Sequence, residues 1–242
     1  MPPTLATLSS LQVNPWFAAL PPASQRALVE LAEPVHLRPG EMLFRQGDPV
    51  SGGRGAFFGL LSGQIKISSL RDDGHEAILA VLEAGNWFGE ISLFDQRPRT
   101  HDATALGPVA VLALPQAAFE ALLDTAEGFG RAMCGLLAGR VRSLYGMVED
   151  ATLRSTRARV ARRLVLLAHG DATQANTARP VVNVSQDALA MMLGITRQTL
   201  NKELKALAAL GALVPRYGRI EITAIGILAE QGDVGLNDTQ EA

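Results

Sequence analysis

Glu90 and Arg99 are the residues best placed by type and spacing to hold a small ligand. The stretch Phe88 to Thr104 reads FGEISLFDQRPRTHDAT, with a Gly-Glu pair nine residues before an Arg-Thr pair and Pro98 just ahead of the arginine. Gly89 has no side chain, so backbone there can approach a ligand closely. A carboxylate such as Glu90 accepts hydrogen bonds from paired hydroxyls, such as those of a ribose. The planar guanidinium of Arg99 matches phosphate oxygens, and Thr100 adds a hydroxyl and a backbone N–H beside it. Pro98 fixes one backbone angle next to the arginine. Together these are the parts of a pocket for a small sugar-phosphate. The same carboxylate and guanidinium could instead pair with each other as a loop salt bridge with no ligand.

A second set lies in QDALAMMLGITRQTLNKELK, residues 186–205. Gln186, Ala190, Gly194 and Leu200 fall at positions 1, 5, 9 and 15 of a helix-turn-helix pattern. A small Ala190 lets two helices cross closely, and Gly194 tolerates the left-handed backbone of a tight turn. Thr196 is suited to cap the second helix. Leu200, Leu204 and Leu207 face inward at helical spacing, which leaves Arg197, Gln198, Asn201 and Lys202 together on the opposite face. Arg197 can pair with guanine O6 and N7, Gln198 can pair with adenine, and Lys202 can reach guanine or phosphate. Thr196 and the helix N-terminus favour a phosphate. Leu213–Pro215 and Arg219–Ile222 read as a two-stranded wing turning at Tyr217-Gly218, with Arg216 and Arg219 as phosphate contacts. The bland alternative is a three-helix bundle with a solvated polar face.

The elements that must carry these two sets differ along the chain. Residues from about 12 to 120 hold short apolar or alternating segments punctuated by glycine. Among them are Met42–Phe44, Gln64–Ile67, Ala77–Leu82 and Val109–Leu114, a spacing that predicts an antiparallel sandwich or roll. Ser51–Gly55 is glycine-rich but is not followed by Gly-Lys-Ser/Thr, so it reads as a flexible loop and not a nucleotide P-loop. From Asp124 to Leu153 the period becomes helical. Cys134, Leu137, Val141, Leu144, Val148 and Ala151 are spaced 3, 4, 3, 4, 3, an a/d seam. Thirty helical residues span about 45 Å, too long to bury against one small roll. The seam therefore suggests a dimer-forming coiled coil; the alternative is a helix packed on its own roll.

The order of roll, long helix and winged helix-turn-helix, with the cassette at Gly89–Thr100, resembles the Crp/Fnr family of bacterial transcription regulators. The resemblance implies an α+β chain. Its parts are a jelly-roll-like, cyclic-nucleotide-binding double-stranded β-roll over 1–123, a dimerisation helix and hinge over 124–158, and a winged helix-turn-helix over 159–242. It implies a homodimer that reads a palindromic promoter site, works with RNA polymerase, and rearranges its long helices when the roll binds an effector. Effector contacts fall on Gly89, Glu90, Ile91, Ser92, Arg99 and Thr100. The family's DNA-reading Arg-Glu-x-x-x-Arg set falls on Arg197, Gln198 and Lys202, so two of its three positions are changed. In cyclic AMP-binding members two small polar residues of the dimer helix contact the adenine. Counting back from Arg159, those positions are Leu144 and Tyr145. Leucine neither donates nor accepts a hydrogen bond, and tyrosine is far larger. The resemblance thus implies a cyclic nucleotide or other phosphorylated small molecule as effector, with cyclic AMP itself expected to bind weakly. His101-Asp102, just past the cassette, reads as a turn cap.

Bulk composition narrows the classes. The 242 residues are 48% hydrophobic and carry a net charge of −2. Residues 151–220 hold eleven Lys and Arg against three Asp and Glu, a net of +8, and the remainder carries −10. A basic C-terminal module on an acidic body suggests a polyanionic partner. The single Cys134 excludes an internal disulfide framework and a multi-cysteine iron–sulfur or metal cage. No apolar run reaches the 18 residues of a membrane span, and the first residues lack a basic start with an apolar signal core. The expected location is the cytoplasm. His36, His75, His101 and His169 show no haem-ligand arrangement and read as surface or turn residues. No Ser/His/Asp or Cys/His catalytic set is suggested, so an enzyme is not expected. Three readings stand: a ligand-gated DNA-binding regulator, a constitutive regulator with a vestigial pocket, and a cupin-type β-roll metalloenzyme, which would need a His-x-His pair the sequence lacks.

Overall fold

The computed structural model describes residues 9–50, 57–70, 74, 76–170 and 178–234. The glycine-rich loop 51–55 and His75 lie outside the described residues. The chain divides into two compact units, Met1–Leu137 and Ala138–Ala242.

The first unit opens with helices α1 (Pro15–Ala18) and α2 (Pro22–Glu30). Eight strands follow, interrupted once: β1 (Glu33–Leu37), β2 (Met42–Phe44), β3 (Phe57–Ser62), β4 (Gln64–Leu70), β5 (Glu76–Glu83), β6 (Trp87–Phe88), then helix α3 (Ile91–Asp95), then β7 (Asp102–Ala105) and β8 (Val109–Leu114). They form two four-stranded antiparallel sheets, ordered β1-β8-β3-β6 and β2-β7-β4-β5. Inward residues of both sheets share one core, with Phe58, Leu60 and Val111 from one and Leu43, Ile65, Leu82 and Ala103 from the other. This is the expected roll.

The two N-terminal helices have no counterpart in the strand-like reading of residues 12–120. Their start signals are nonetheless present. Asn14 caps α1, its Oδ1 accepting from Trp16 N at 2.9 Å, and prolines occupy the first turn of both helices. They bury Phe17, which stacks on Trp87 with centroids 5.4 Å apart. Burying each such aromatic contributes about 1.5–3 kcal/mol. Trp16 Nε1 donates to Ala132 O at 2.8 Å.

Of the helical stretch expected over 124–153, residues from Phe129 on form one helix, and a separate helix begins earlier, within the segment read as strands. Helix α4 (Gln116–Thr125) ends where Ala126 leaves helical geometry, at φ −90° and ψ 111°. Helix α5 (Phe129–Leu153) then starts afresh with Phe129 and Met133 buried. Its 25 residues make a rod about 37 Å long.

The second unit begins on α5 and continues through α6 (Thr156–Ala168), β9 (Val181–Val182), α7 (Gln186–Leu193), α8 (Arg197–Ala209), β10 (Leu213–Arg216), β11 (Arg219–Ile222) and α9 (Ile225–Gly232). Strands β10, β11 and β9 form a small antiparallel sheet. Leu164, Leu189, Leu200, Leu204, Leu207, Ile220 and Leu228 share its core. An ionic knot joins the end of α5 to this core: Asp150 accepts from Arg154 Nε at 2.8 Å and pairs with Arg162 Nε at 3.1 Å, while Arg154 Nη1 reaches Asp233 at 2.6 Å.

Candidate functional site

The cassette is built where β6 ends. Gly89 has φ +96°, left-handed backbone that side chains disfavour. The turn it permits aims Glu90 inward at the start of α3. Helix α3 stops at Gln96, whose φ of +55° is unusual for a non-glycine residue. The local reason is a pair of side-chain brackets: Gln96 Nε2 donates to Leu93 O at 2.6 Å, and Asp95 Oδ1 accepts from Arg97 N at 3.0 Å. The chain then returns through Pro98 to Arg99. There the backbone is clamped from both sides, Arg99 N donating to Asp48 O and Gly47 N donating to Arg99 O, each at 2.8 Å.

Two charged side chains are thereby buried together: Glu90 is 0% exposed and Arg99 5%. Arg99 Nη1 donates to Gly89 O at 2.8 Å. Its Cζ lies 4.5 Å from the Phe44 ring centroid and 5.4 Å from that of Phe58. Burial pushes the guanidinium below its ordinary pKa, and the carboxylates of Glu90 and Asp48 oppose that shift. Ser92 is also buried, its Oγ donating to Pro98 O at 3.3 Å. Gly89, Glu90, Ser92 and Arg99 thus meet at one place. Ile91 is turned outward at 39% exposure, and the exposed Thr100 hydroxyl pairs with His101 Nδ1 at 2.8 Å. Asp102 accepts from Gln46 N at 2.8 Å and so ties down a turn.

Sequence reasoning missed Phe44, Phe58 and Asp48 as neighbours of Arg99. Phe44 carried only a strand signal, because its stacking on the guanidinium depends on strand pairing across the roll. His169 occupies the turn after α6 but is buried, not a surface residue: the turn folds into the module core, with His169 N bonded to Val165 O and Leu166 O.

In the second unit, helix α7 is capped by Ser185, whose Oγ accepts from Ala188 N at 3.1 Å. It ends at Gly194 with φ +62°. Thr196 then caps α8, accepting from Thr199 N at 3.1 Å. Leu200, Leu204 and Leu207 are buried, and Thr196, Arg197, Gln198, Asn201 and Lys202 are all exposed. Glu203, on the inner side, accepts from Arg157 Nε at 3.0 Å. The wing hairpin turns at Tyr217-Gly218, and Tyr217 is fully exposed. Each arginine expected to contact DNA has a carboxylate beside it. Arg197 lies 3.4 Å from Asp187, and Arg216 and Arg219 both pair with Glu221 at 3.0 and 3.1 Å. Of the other expected contacts, Leu144 and Tyr145 stand on α5 at 60% and 72% exposure.

Known proteins match both units. Residues 34–126 match the cyclic nucleotide-binding domain, and residues 158–230 match the Crp-like helix-turn-helix domain. A CRP-like cAMP-activated global transcriptional regulator of Mycobacterium tuberculosis is 30% identical over 196 residues, 81% of this chain and 86% of that protein. The cyclic AMP receptor protein of Thermus thermophilus is 30% identical over 192 residues, 79% of this chain and 84% of that protein. In fold, the structure of FixK2 from Bradyrhizobium japonicum superimposes with a TM-score of 0.71 at 18% identity, covering 83% of this chain and 96% of that one. With a cyclic nucleotide-binding domain followed by a helix-turn-helix DNA-binding domain, and relatives of this identity along four-fifths of its length, the chain belongs to the Crp/Fnr family of transcription regulators.

Proposed function

We propose that the protein is a homodimeric, sequence-specific regulator whose DNA affinity is set by a nucleotide-like anion held between Glu90 and Arg99. The observation that carries the reading is the two-sided character of α8. One face is locked into the core by Leu200, Leu204 and Leu207, and the other offers Arg197, Gln198, Asn201 and Lys202 to solvent on a rigid, capped helix. Base edges in a major groove need such donors and acceptors held in fixed positions. Dimerisation draws support from the seam of α5. Val141, Leu144 and Val148 are 48%, 60% and 62% exposed, an apolar stripe that a second copy would cover. In this reading Thr196, Arg216 and Arg219 take DNA phosphates. The partners are a palindromic promoter site, the second copy and RNA polymerase, all in the cytoplasm, and the protein is not an enzyme.

The buried Glu90 and Arg99 support an effector with a diol and one phosphate. Relatives named for cyclic AMP favour a cyclic nucleotide. Leu144 and Tyr145 oppose the usual hold on adenine, so weak cyclic AMP binding is the expectation. One observation favours the constitutive alternative: Arg99 already rests on Gly89 O, Phe44 and the field of Glu90, which offset part of the cost of burying its charge without a ligand. Among the described residues no group of three or more His, Cys, Asp or Glu is placed to hold a metal.

Calorimetric titration with cyclic AMP, cyclic GMP and cyclic di-GMP, paired with DNA titrations of wild type and Arg99→Ala, separates the first two. The gated reading expects a nucleotide to bind the wild type, change its DNA affinity, and do neither in the variant. Binding of none of them, with equal DNA affinity in both proteins, selects the constitutive regulator.

A further inference from the structure

The wing hairpin carries a charge arrangement that phosphate binding alone does not explain. The register pairs Arg216 directly with Arg219, so the two guanidinium groups share one face of the ribbon. Like charges directly opposite one another in a ladder repel. Glu221 lies two residues beyond Arg219, on that same face. One of its oxygens accepts from Arg216 Nε at 3.0 Å, and the other accepts from Arg219 Nη2 at 3.1 Å and Nε at 3.4 Å. The two arginines hold the Glu221 carboxyl below the usual carboxylate range, Arg216 contributing most. The side chains of both arginines remain about half exposed, at 55% and 53%, and that of Glu221 is 29% exposed.

A wing built only to grip a phosphate backbone would carry two positive charges. With Glu221 between them, two arginines and one glutamate leave a net of one. We propose that Glu221 is a built-in attenuator of DNA binding. It half-neutralises the two wing arginines in the free module and stays beside the duplex as a like charge to the phosphates, lowering the sequence-independent part of the affinity. The inference rests on the DNA-binding reading above and adds to it a residue that weakens the contact.

The competing role is positioning, in which Glu221 helps by aiming the arginines. Magnitudes separate the two. An exposed ion pair restrains its partners only weakly, whereas a charge beside the polyanion acts on every phosphate within a Debye length. Attenuation should therefore win, and the two roles predict opposite signs.

The test compares wild type, Glu221→Gln and Glu221→Asp on one cognate duplex and one random duplex, titrated across a salt series. The attenuator predicts that Glu221→Gln binds both duplexes tighter by the same factor, about three- to tenfold near 0.1 M salt, with a salt slope steeper by about 0.9. Glu221→Asp keeps the charge and should bind like wild type. A thermal midpoint within about 3 °C of wild type shows that the wing is intact. Weaker or unchanged binding by Glu221→Gln, or a shallower slope, overturns the attenuator while the regulator reading stands. Failure of the wild type to bind any duplex at low salt overturns both.

Discussion

In the β-roll, Arg99 is 5% exposed, lies over Phe44 and shares its site with the fully buried Glu90. In the winged module, the side chain of Arg197 is 67% exposed and Asp187 stands 3.4 Å away. Both are arginines near a carboxylate, but the surrounding medium differs. Charges removed from water are costly unless paired and hydrogen-bonded, so Arg99 and Glu90 depend on each other and on the Gly89 carbonyl. At the surface, water screens the pair and the same contact is worth at most about 1 kcal/mol. The buried pair is thus tied to the stability of the roll. The exposed arginine is free to exchange its carboxylate for a base or a phosphate. Within one chain, burial decides whether the loss of an arginine is felt first in stability or first in binding at the surface.

The widest gap between the two regions should show in stability. Arg99→Ala leaves Glu90 buried without its counter-charge and is expected to destabilise the roll by about 3–5 kcal/mol. Arg197→Ala should change stability by no more than about 0.5 kcal/mol. Urea unfolding of both variants measures the difference, and equal effects would erase the comparison. The ranking should invert for DNA. Arg197→Ala is expected to lose about 1–3 kcal/mol of specific binding and to relax preference at one guanine per half-site. A competition assay against single-base variants of the site reads this directly, and unchanged preference would move base reading to another element.

A smaller effect sharpens the comparison by pH. Burial lowers the pKa of His101 below its ordinary 6.5, with Asp102 opposing. Below pH 6.5 the unfolded chain therefore binds a proton that the folded chain resists. The His101 contribution is fully present above 6.5 and is lost as pH falls through the folded value. The slope is at most about 1.4 kcal/mol per pH unit over that window. His101→Gln should flatten that part of the stability curve, followed by denaturant midpoints between pH 7 and pH 5. An unchanged curve would place the titration elsewhere.

Much of both sites was legible because each is written in contiguous residues. Gly89, Glu90, Pro98 and Arg99 sit on one contiguous segment whose turn glycine and proline mark its two ends. Gly194 and Thr196 punctuate the helix-turn-helix by their own preferences for a turn and a cap. What surrounds Arg99 was not legible, since Phe44 and Phe58 reach it only through the pairing of separate strands. Helices α1 and α2 were passed over although Asn14-Pro15 and Pro21-Pro22 announce their starts, because glycine-punctuated strands dominate the rest of that unit. The break between α4 and α5 was hidden by apolar residues that continue at helical spacing across it. The Glu221 pairing was within reach of the sequence, being an i, i+2 pair on a strand, but it required the hairpin register to bring Arg216 opposite Arg219.

The central claim is that two copies joined along α5 present two α8 helices to one duplex. Selection of bound sequences from a random duplex library tests it most directly, run with the wild type and with a Leu137→Asp/Val141→Asp double variant. The account predicts that the wild type enriches a palindrome whose half-site centres lie about 10–10.5 base pairs apart, or a multiple of that. The double variant should be monomeric by light scattering and enrich nothing. A wild type that enriches a single asymmetric site, or a monomeric variant that still selects the palindrome, would contradict it.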